Sequence, residues 1–206
     1  MNLAVFCSGK GTNLQAIINA IRKGEIEARI ALVISDRKDA YALRRAKDAG
    51  IKAVFVNPKD FSCKRDFEVR LISYLKEERV ELVVLAGFMR ILSPFFVREY
   101  KHRILNIHPS LLPAFKGSRN AVRDALEYGV KITGVTVHFV DEQVDNGPII
   151  LQKAVEVSEE DSEESLRERI QQKEHLLYPL AIKLVVEGRI RMEGRRVRID
   201  SLPCSG

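Results

Sequence analysis

The sequence predicts an α/β protein built on a mostly parallel, doubly wound sheet of about seven strands with helices on both faces. Short apolar runs, typical of strands buried on both sides, alternate with amphipathic helical segments through the first half of the chain. This alternation indicates βαβ units, whose right-handed crossovers leave few topologies. A basic segment around Glu193 and Gly194 has the pattern of a small C-terminal hairpin.

The strands are predicted from runs of Val, Ile, Leu and Ala that are bounded by turn residues. The run 30–34 is continuously apolar, which favours a central strand of a Rossmann-like sheet, whereas 133–140 alternates apolar and polar residues. In chain order the predicted strands are 3–7, 30–34, 53–56, 82–86, 104–107, 133–140 and 149–157.

Helices are predicted where apolar residues recur every three or four positions. Thr12 or Asn13 could cap the first helix, and Gly50 and Gly129 suit the C-terminal ends of later ones. We expect the longest helix to be interrupted or kinked at Pro179, because proline lacks a backbone N–H. The predicted helices run from about residue 12 past residue 21 and over 40–49, 64–76, 120–128 and 163–186.

Composition limits the function. The length of 206 residues suits one domain, and 46% hydrophobic with 30% charged residues is an ordinary globular balance. The three cysteines are odd in number and widely spaced, which indicates a reducing compartment. No signal peptide or membrane-spanning run is recognisable in the sequence, so we expect a cytoplasmic protein with no membrane partner.

The net charge of +6 raises the question of nucleic-acid binding. The densest basic groups, 44–47 and 195–198, have acidic residues close by. A solvated basic surface explains this pattern better than a nucleic-acid site, so we expect no nucleic-acid partner. A modest positive field would instead favour a small anionic substrate.

The turn after the first strand reads Ser8-Gly9-Lys10-Gly11-Thr12-Asn13. Leu14 stands where the third glycine of a dinucleotide fingerprint belongs, and no Walker pattern is present, so neither NAD nor a nucleoside triphosphate is expected. Small residues at a helix N-terminus favour a single anion such as a phosphate. A plain strand-to-helix connector remains the alternative.

A second candidate site follows the fifth predicted strand. Asn106 and His108 share strand parity and point to one side of the chain, where an amide and an imidazole could stabilise an oxyanion and move a proton. Several carboxylates in 141–145 precede Gly147, and one of them could orient a histidine. The four histidines lack ligand spacing, so no metal site is expected.

Five stretches make the chain recognisable: SGKGTNLQA (8–16), LAGFMRIL (85–92), NIHPSLLPAFKG (106–117), GVTVHFVDEQVDNGPII (134–150) and EHLLYP (174–179). Through them the chain resembles the phosphoribosylglycinamide formyltransferases, folate-dependent enzymes of purine synthesis, along essentially its whole length. The third stretch marks the wider folate formyltransferase superfamily, and the first two narrow the resemblance to this branch.

The resemblance implies an enzyme that transfers a formyl group from 10-formyltetrahydrofolate to the amino group of glycinamide ribonucleotide. This is a step of de novo purine (IMP) biosynthesis, and it would proceed by direct amine attack through a tetrahedral intermediate. The folate is a co-substrate, both partners are small molecules, and no metal or NAD is required. The chain would be a monomer or a homodimer. A formyltetrahydrofolate deformylase and a non-enzymatic nucleotide-binding regulator are the alternatives.

The resemblance also implies roles for single residues. Asn106, His108 and Asp145 would be catalytic. Residues 1–206 would form one domain, with phosphate binding in the N-terminal half and folate binding and catalysis in the C-terminal half. By their own sequence, residues from about 201 to 206 are predicted to be a disordered tail. Some members of the family have histidines after PSLLP, whereas 117–123 has none. Ribotide binding would involve Lys10, Gly11, Thr12, Asn13 and Glu174, and folate binding would involve Lys64, Met89, Arg90, Ile91, Leu92, Asn106, Val140 and Asp141.

Overall fold

A computed structural model describes residues 1–200 of the chain, and within them it contains nine strands and six α-helices. The strands are β1 (Asn2–Phe6), β2 (Arg29–Ser35), β3 (Ala53–Phe55), β4 (Leu82–Leu85), β5 (Ile104–His108), β6 (Ile132–Phe139), β7 (Ile149–Glu156), β8 (Ile190–Glu193) and β9 (Arg196–Ile199). The helices are α1 (Thr12–Arg22), α2 (Tyr41–Asp48), α3 (Lys64–Glu77), α4 (Pro94–Glu99), α5 (Ala121–Tyr128) and α6 (Glu163–Val186).

Seven strands form one sheet in the order β3-β2-β1-β4-β5-β6-β7. β1 to β5 are parallel, whereas β6 and β7 each run antiparallel to the preceding strand. The predicted α/β class and doubly wound, mostly parallel sheet are therefore confirmed. β8 and β9 pair antiparallel with Gly194 in the turn at φ 61°, which confirms the C-terminal hairpin.

The central strand β1 is buried on both faces. Leu3 and Val5 join a core that includes side chains of α1 and α6, whereas Ala4 and Phe6 join a second core with α3 and α4. Burial of alternate residues in opposite cores explains why the run is continuously apolar. The expected helices on both faces are confirmed by these two cores.

Several local predictions differ from the structure. Neither Thr12 nor Asn13 caps α1, because Gly11 occupies the cap position at φ 69° and no side chain caps that end. α6 runs without interruption through Pro179, so the expected interruption is wrong, whereas a kink there stays a prediction. The short helix α4 was not predicted, although Ser93 caps it and Pro94 takes its first position, which is a recognisable start signal.

The disordered tail predicted at about 201–206 lies outside the described residues. Among residues 1–200 there is no helix that combines the length and apolar character needed to cross a bilayer.

Cys7, which directly follows β1, is fully buried, and burial raises the pKa of its thiol to about 12. Such a thiol is a packing group rather than a nucleophile.

Candidate active site

The predicted site residues lie at the carboxyl edge of the parallel strands. The order of the sheet reverses direction between β1 and β4, and open α/β sheets bind their ligands beside such a point. A cavity of about 1060 Å³ opens there. Its walls come from the segments that follow β3, β4, β5 and β6, and they include Asn106, His108 and Asp145.

His108 faces an acceptor at each ring nitrogen. Nδ1 lies 3.4 Å from Oδ2 of Asp145, and Nε2 lies 3.2 Å from the carbonyl oxygen of Phe115. Because a carbonyl oxygen can only accept, we assign the ring proton at Nε2 to the contact with Phe115, while Nδ1 faces the carboxylate. The buried ring is thus arranged to donate through Nε2. A substrate oxygen would have to replace the Phe115 carbonyl to reach Nε2.

Asn106 is held by a residue to which the sequence analysis gave no role. His138 on β6 lies opposite it in the antiparallel ladder, and Nε2 of His138 is 3.3 Å from Nδ2 of Asn106. Nδ1 of His138 lies 2.8 Å from the carbonyl oxygen of Phe139. Burial lowers the pKa of His138, in agreement with a neutral ring that donates through Nδ1 and accepts through Nε2. His138 therefore orients the amide.

The second amide hydrogen of Asn106 has a weaker partner. Nδ2 lies 3.4 Å from Oδ1 of Asp145, a long contact for a hydrogen bond. Both amide hydrogens thus have partners in the protein. The contact with Asp145 is the longer and weaker one, so a substrate oxygen could replace Asp145 there more easily than it could replace His138. After a small movement of the side chain, the Asn106 amide can therefore donate to an oxyanion.

The loop that carries Asp145 is fixed at several points. Asp145 has a positive φ of 47°, and its Oδ2 accepts from the backbone N–H of Gly117 at 3.0 Å. The next residue, Asn146, accepts from Nζ of Lys116 at 2.7 Å and donates to Asp141 at 2.7 Å. Its carbonyl accepts from Arg195 of the C-terminal hairpin at 2.7 Å. These contacts offset the strained backbone at the carboxylate.

The segment after β4 forms one wall of the cavity. Met89 and Ile91 are 69% and 64% exposed, and Leu92 is buried beside them. Arg90 pairs with Asp36, 2.9 Å from Nε to Oδ2, and lies 5.7 Å from the ring centroid of Phe67. Large exposed apolar side chains at the mouth of a cavity suit a flat, largely apolar ligand.

The remaining folate candidates also line the cavity. Lys64 lies at the start of α3. The N–H of Val140 is already bonded to the carbonyl of Ile104 at 2.9 Å. The carboxylate of Asp141 accepts from the N–H of Gln143 at 2.9 Å, in addition to its bond from Asn146. Asp141 therefore shapes its own loop, and at Val140 only the carbonyl could serve a ligand.

A second polar cluster surrounds the N-terminus of α1. Nδ2 of Asn13 donates to Glu174 at 3.0 Å, whereas Oδ1 of Asn13 is buried without a partner. Thr12 accepts from Gln171 at 2.9 Å. Burial raises the pKa of the Glu174 carboxyl. The structure thus brings Asn13 and Glu174 together, although they are far apart in the sequence.

Other parts of the opening turn have roles that the sequence did not suggest. A Cβ at Gly11 would lie 2.7 Å from Cβ of Ala42, so this glycine is required by packing and by its positive φ. A Cβ at Gly9 would meet nothing within 4 Å. Arg45 donates to the carbonyl of Lys10 at 2.9 Å. Backbone approach by a ligand is therefore easiest at Gly9.

Known proteins resemble the chain over nearly its whole length. A family described as formyl transferase matches residues 1–182. This chain belongs to the formyl transferase family. The phosphoribosylglycinamide formyltransferase of Haemophilus influenzae is 47% identical over 99% of this chain and 97% of that protein. A glycinamide ribonucleotide transformylase structure from Symbiobacterium toebii superposes with a TM-score of 0.95 at 52% identity, covering 98% of this chain and 94% of that one.

The chain also matches one part of a longer protein. The trifunctional purine biosynthetic protein adenosine-3 of Gallus gallus is 46% identical over 93% of this chain, which spans 19% of that protein. Within residues 1–200, no group of three or more His, Cys, Asp or Glu side chains is placed to hold a metal ion. The expectation that no metal or NAD takes part stays a prediction.

Proposed function

We propose that the chain transfers the formyl group of 10-formyltetrahydrofolate to the amino group of glycinamide ribonucleotide in purine biosynthesis. The observation that carries this proposal is the convergence of Asn106, His108 and Asp145 on one cavity. The folate would enter between Met89–Leu92 and the segment after β6. Lys64 would approach its acidic end.

The three proposed catalytic residues divide the work. The neutral amine attacks the formyl carbon, a C–N bond forms, and the carbonyl oxygen becomes an oxyanion. His108 and the amide of Asn106 stabilise that charge, and Asp145 keeps the imidazole charged and oriented. The tetrahedral intermediate then collapses with cleavage of the bond to N10 of the folate. The amine loses a proton and N10 gains one, so atoms and charge balance.

The N-terminus of α1 would hold the ribotide phosphate. The uncapped first turn leaves backbone N–H groups of Thr12 and Asn13 for an anion, and Lys10 adds positive charge. Glu174, which accepts from Asn13, would lie against the same ribotide. Alignment of the two substrates by separate sites can lower the barrier substantially. The bound pair would be small molecules, and we propose no part for a metal or a nicotinamide.

A turnover assay tests the proposal. The purified chain is mixed with 10-formyltetrahydrofolate, with and without glycinamide ribonucleotide, and tetrahydrofolate, formate and formylated ribotide are measured by mass spectrometry. We expect tetrahydrofolate and formylated ribotide in equal amounts and only when the ribotide is present. Formate release that is independent of the ribotide would identify a deformylase. No turnover in either mixture would favour a binding protein.

A further inference from the structure

Ser8 lies between the two proposed substrate loops, at the point where the sheet reverses order. It follows β1, and its side chain is 3% exposed. Its N–H donates to the carbonyl of Gly87 at 3.0 Å, and its Oγ accepts from the N–H of Met89 at 2.9 Å. Oγ donates in turn to Oδ1 of Asp36 at 2.6 Å. Both hydrogen-bond donors of Ser8 therefore have partners within the protein, and its hydroxyl oxygen accepts one further bond.

Asp36 extends this connection to the cavity wall. Its side chain is 6% exposed, and its second carboxylate oxygen receives Nε of Arg90. Ser8 and Asp36 together therefore fix the backbone of Met89 and the guanidinium of Arg90. Both of these residues belong to the proposed folate wall.

The other side of Ser8 leads to the ribotide loop. Gly9 follows directly, and its carbonyl accepts from the N–H of Ala42 at 3.1 Å. The uncapped start of α1 comes three residues later. The hydroxyl of Ser8 is bonded to the Met89–Arg90 segment, and the backbone of Ser8 continues into the proposed phosphate loop. A displacement of Ser8 would thus move both segments together.

We propose that Ser8, with Asp36, is a positioning residue that couples the two substrate sites. The inference rests on the proposed function, since it needs a ribotide at α1 and a folate at Met89–Arg90. A ribotide that fixes the loop at Ser8 also fixes the folate wall, so each ligand strengthens the binding of the other. Linkage requires the same factor in both directions.

The test measures that factor by titration calorimetry. A 5-deazafolate inhibitor is titrated into the wild type with and without saturating glycinamide ribonucleotide, and the reverse titration checks reciprocity. We expect the ribotide to increase affinity for the inhibitor by about fivefold or more, the lower range of typical coupling. In Ser8→Ala the factor should fall below about twofold, because the bonds to Met89 and Asp36 are lost.

Two further variants keep the result interpretable. Asp36→Ala removes the partner of Ser8 and of Arg90 without changing β1, so it should also reduce the factor. Leu75→Val trims a fully buried side chain near the far end of α3 and should lower stability while leaving the coupling intact.

Wild-type coupling retained in either Ser8→Ala or Asp36→Ala would overturn the inference, as would independent binding in the wild type. If the wild type bound neither ligand, the proposed function itself would be wrong. These two failures are therefore distinguishable in the same experiment.

Discussion

His108 lies between a carboxylate and a carbonyl oxygen, and this pair of acceptors defines what the ring can do. Asp145 places a carboxylate oxygen 3.4 Å from Nδ1 and holds the ring in its orientation. The Phe115 carbonyl at Nε2 marks the direction in which the ring donates. A substrate carbonyl oxygen in the position of the Phe115 oxygen would accept a hydrogen bond from Nε2. The oxyanion that forms from this substrate carbonyl would be bound more strongly than the neutral carbonyl itself.

Asp145→Asn tests this arrangement, because the amide keeps the size of the side chain and removes its charge. We expect kcat to fall on the order of 10²-fold or more, the scale of lost acid–base assistance. The KM for glycinamide ribonucleotide should change little, since the proposed phosphate site at the start of α1 does not include Asp145. Steady-state kinetics at pH 7 measure both values. A variant that keeps most of its kcat would show that Asp145 is only a loop carboxylate.

The two glycines of the opening turn make a matched pair. Gly11→Ala should lower stability by about 2 kcal/mol or more, because its Cβ would contact Ala42 and its φ is positive. Gly9→Ala should leave the urea midpoint near that of the wild type, since the protein leaves space there. If a phosphate approaches this backbone, Gly9→Ala should still raise the KM for the ribotide selectively. An unchanged KM would argue against that approach.

At the scale of elements, the start of α6 is joined to α5 by Glu163. Its carboxylate accepts from Asn120 at 2.9 Å, Arg167 at 2.5 Å and Arg123 at 3.0 Å. These bonds lower the pKa of Glu163 from 4.5 to about 2, with the bond from Asn120 as the largest cause. Because the folded pKa is depressed, the stabilisation is present above pH 4.5 and is lost as the pH falls toward 2.

Glu163→Gln should therefore lower the melting temperature at pH 7 by on the order of 2–4 °C. The difference from the wild type should shrink as the pH falls below 4.5. Thermal unfolding followed by circular dichroism gives both results. Glu164→Gln is the control, since it removes the same charge from the same first turn of α6. Equal effects of the two variants would mean that the contacts of Glu163 add nothing to a helix-dipole effect.

The elements themselves were largely predictable, and the failures have local causes. β1 and β2 are apolar because both faces are buried, so continuous apolar runs of strand length identified them. The cap of α1 was misassigned because Thr12 and Asn13 have partners on α6, which no local pattern shows. α4 is too short for a helical period, and only Ser93 and Pro94 mark its start.

At the scale of the molecule, the C-terminal hairpin supports the proposed catalytic loop. Arg195 donates to the carbonyl of Asn146, directly after Asp145. Arg195→Met should reduce kcat by about threefold to tenfold, since one exposed charge-assisted bond is worth about 1 kcal/mol. Arg198→Met, which breaks only a bond to Glu193 within the hairpin, should leave kcat unchanged. A loss of kcat in both variants would point to general unfolding of the hairpin.

The composition of the site was only partly predictable, because much of it is created by topology. Asn106 and His108 share one strand and were found by parity. His138 faces Asn106 only because β6 runs antiparallel beside β5. Ser8 belongs to the opening turn for which a phosphate site was predicted, but the sheet order places its hydroxyl against Asp36 and Met89. Such contacts join segments that are far apart in the sequence, so they can be identified only once the fold is known.

The two described cysteines differ in a way that is useful for chemical labelling. Cys7 is buried, and because burial raises the pKa of its thiol to about 12, very little of it would be ionised and open to alkylation at pH 8. Cys63 is exposed and lines the cavity. With Cys204 replaced by serine, a maleimide fluorophore would therefore attach at one defined position beside the proposed folate site. Its emission would report ligand entry without any further change to the chain.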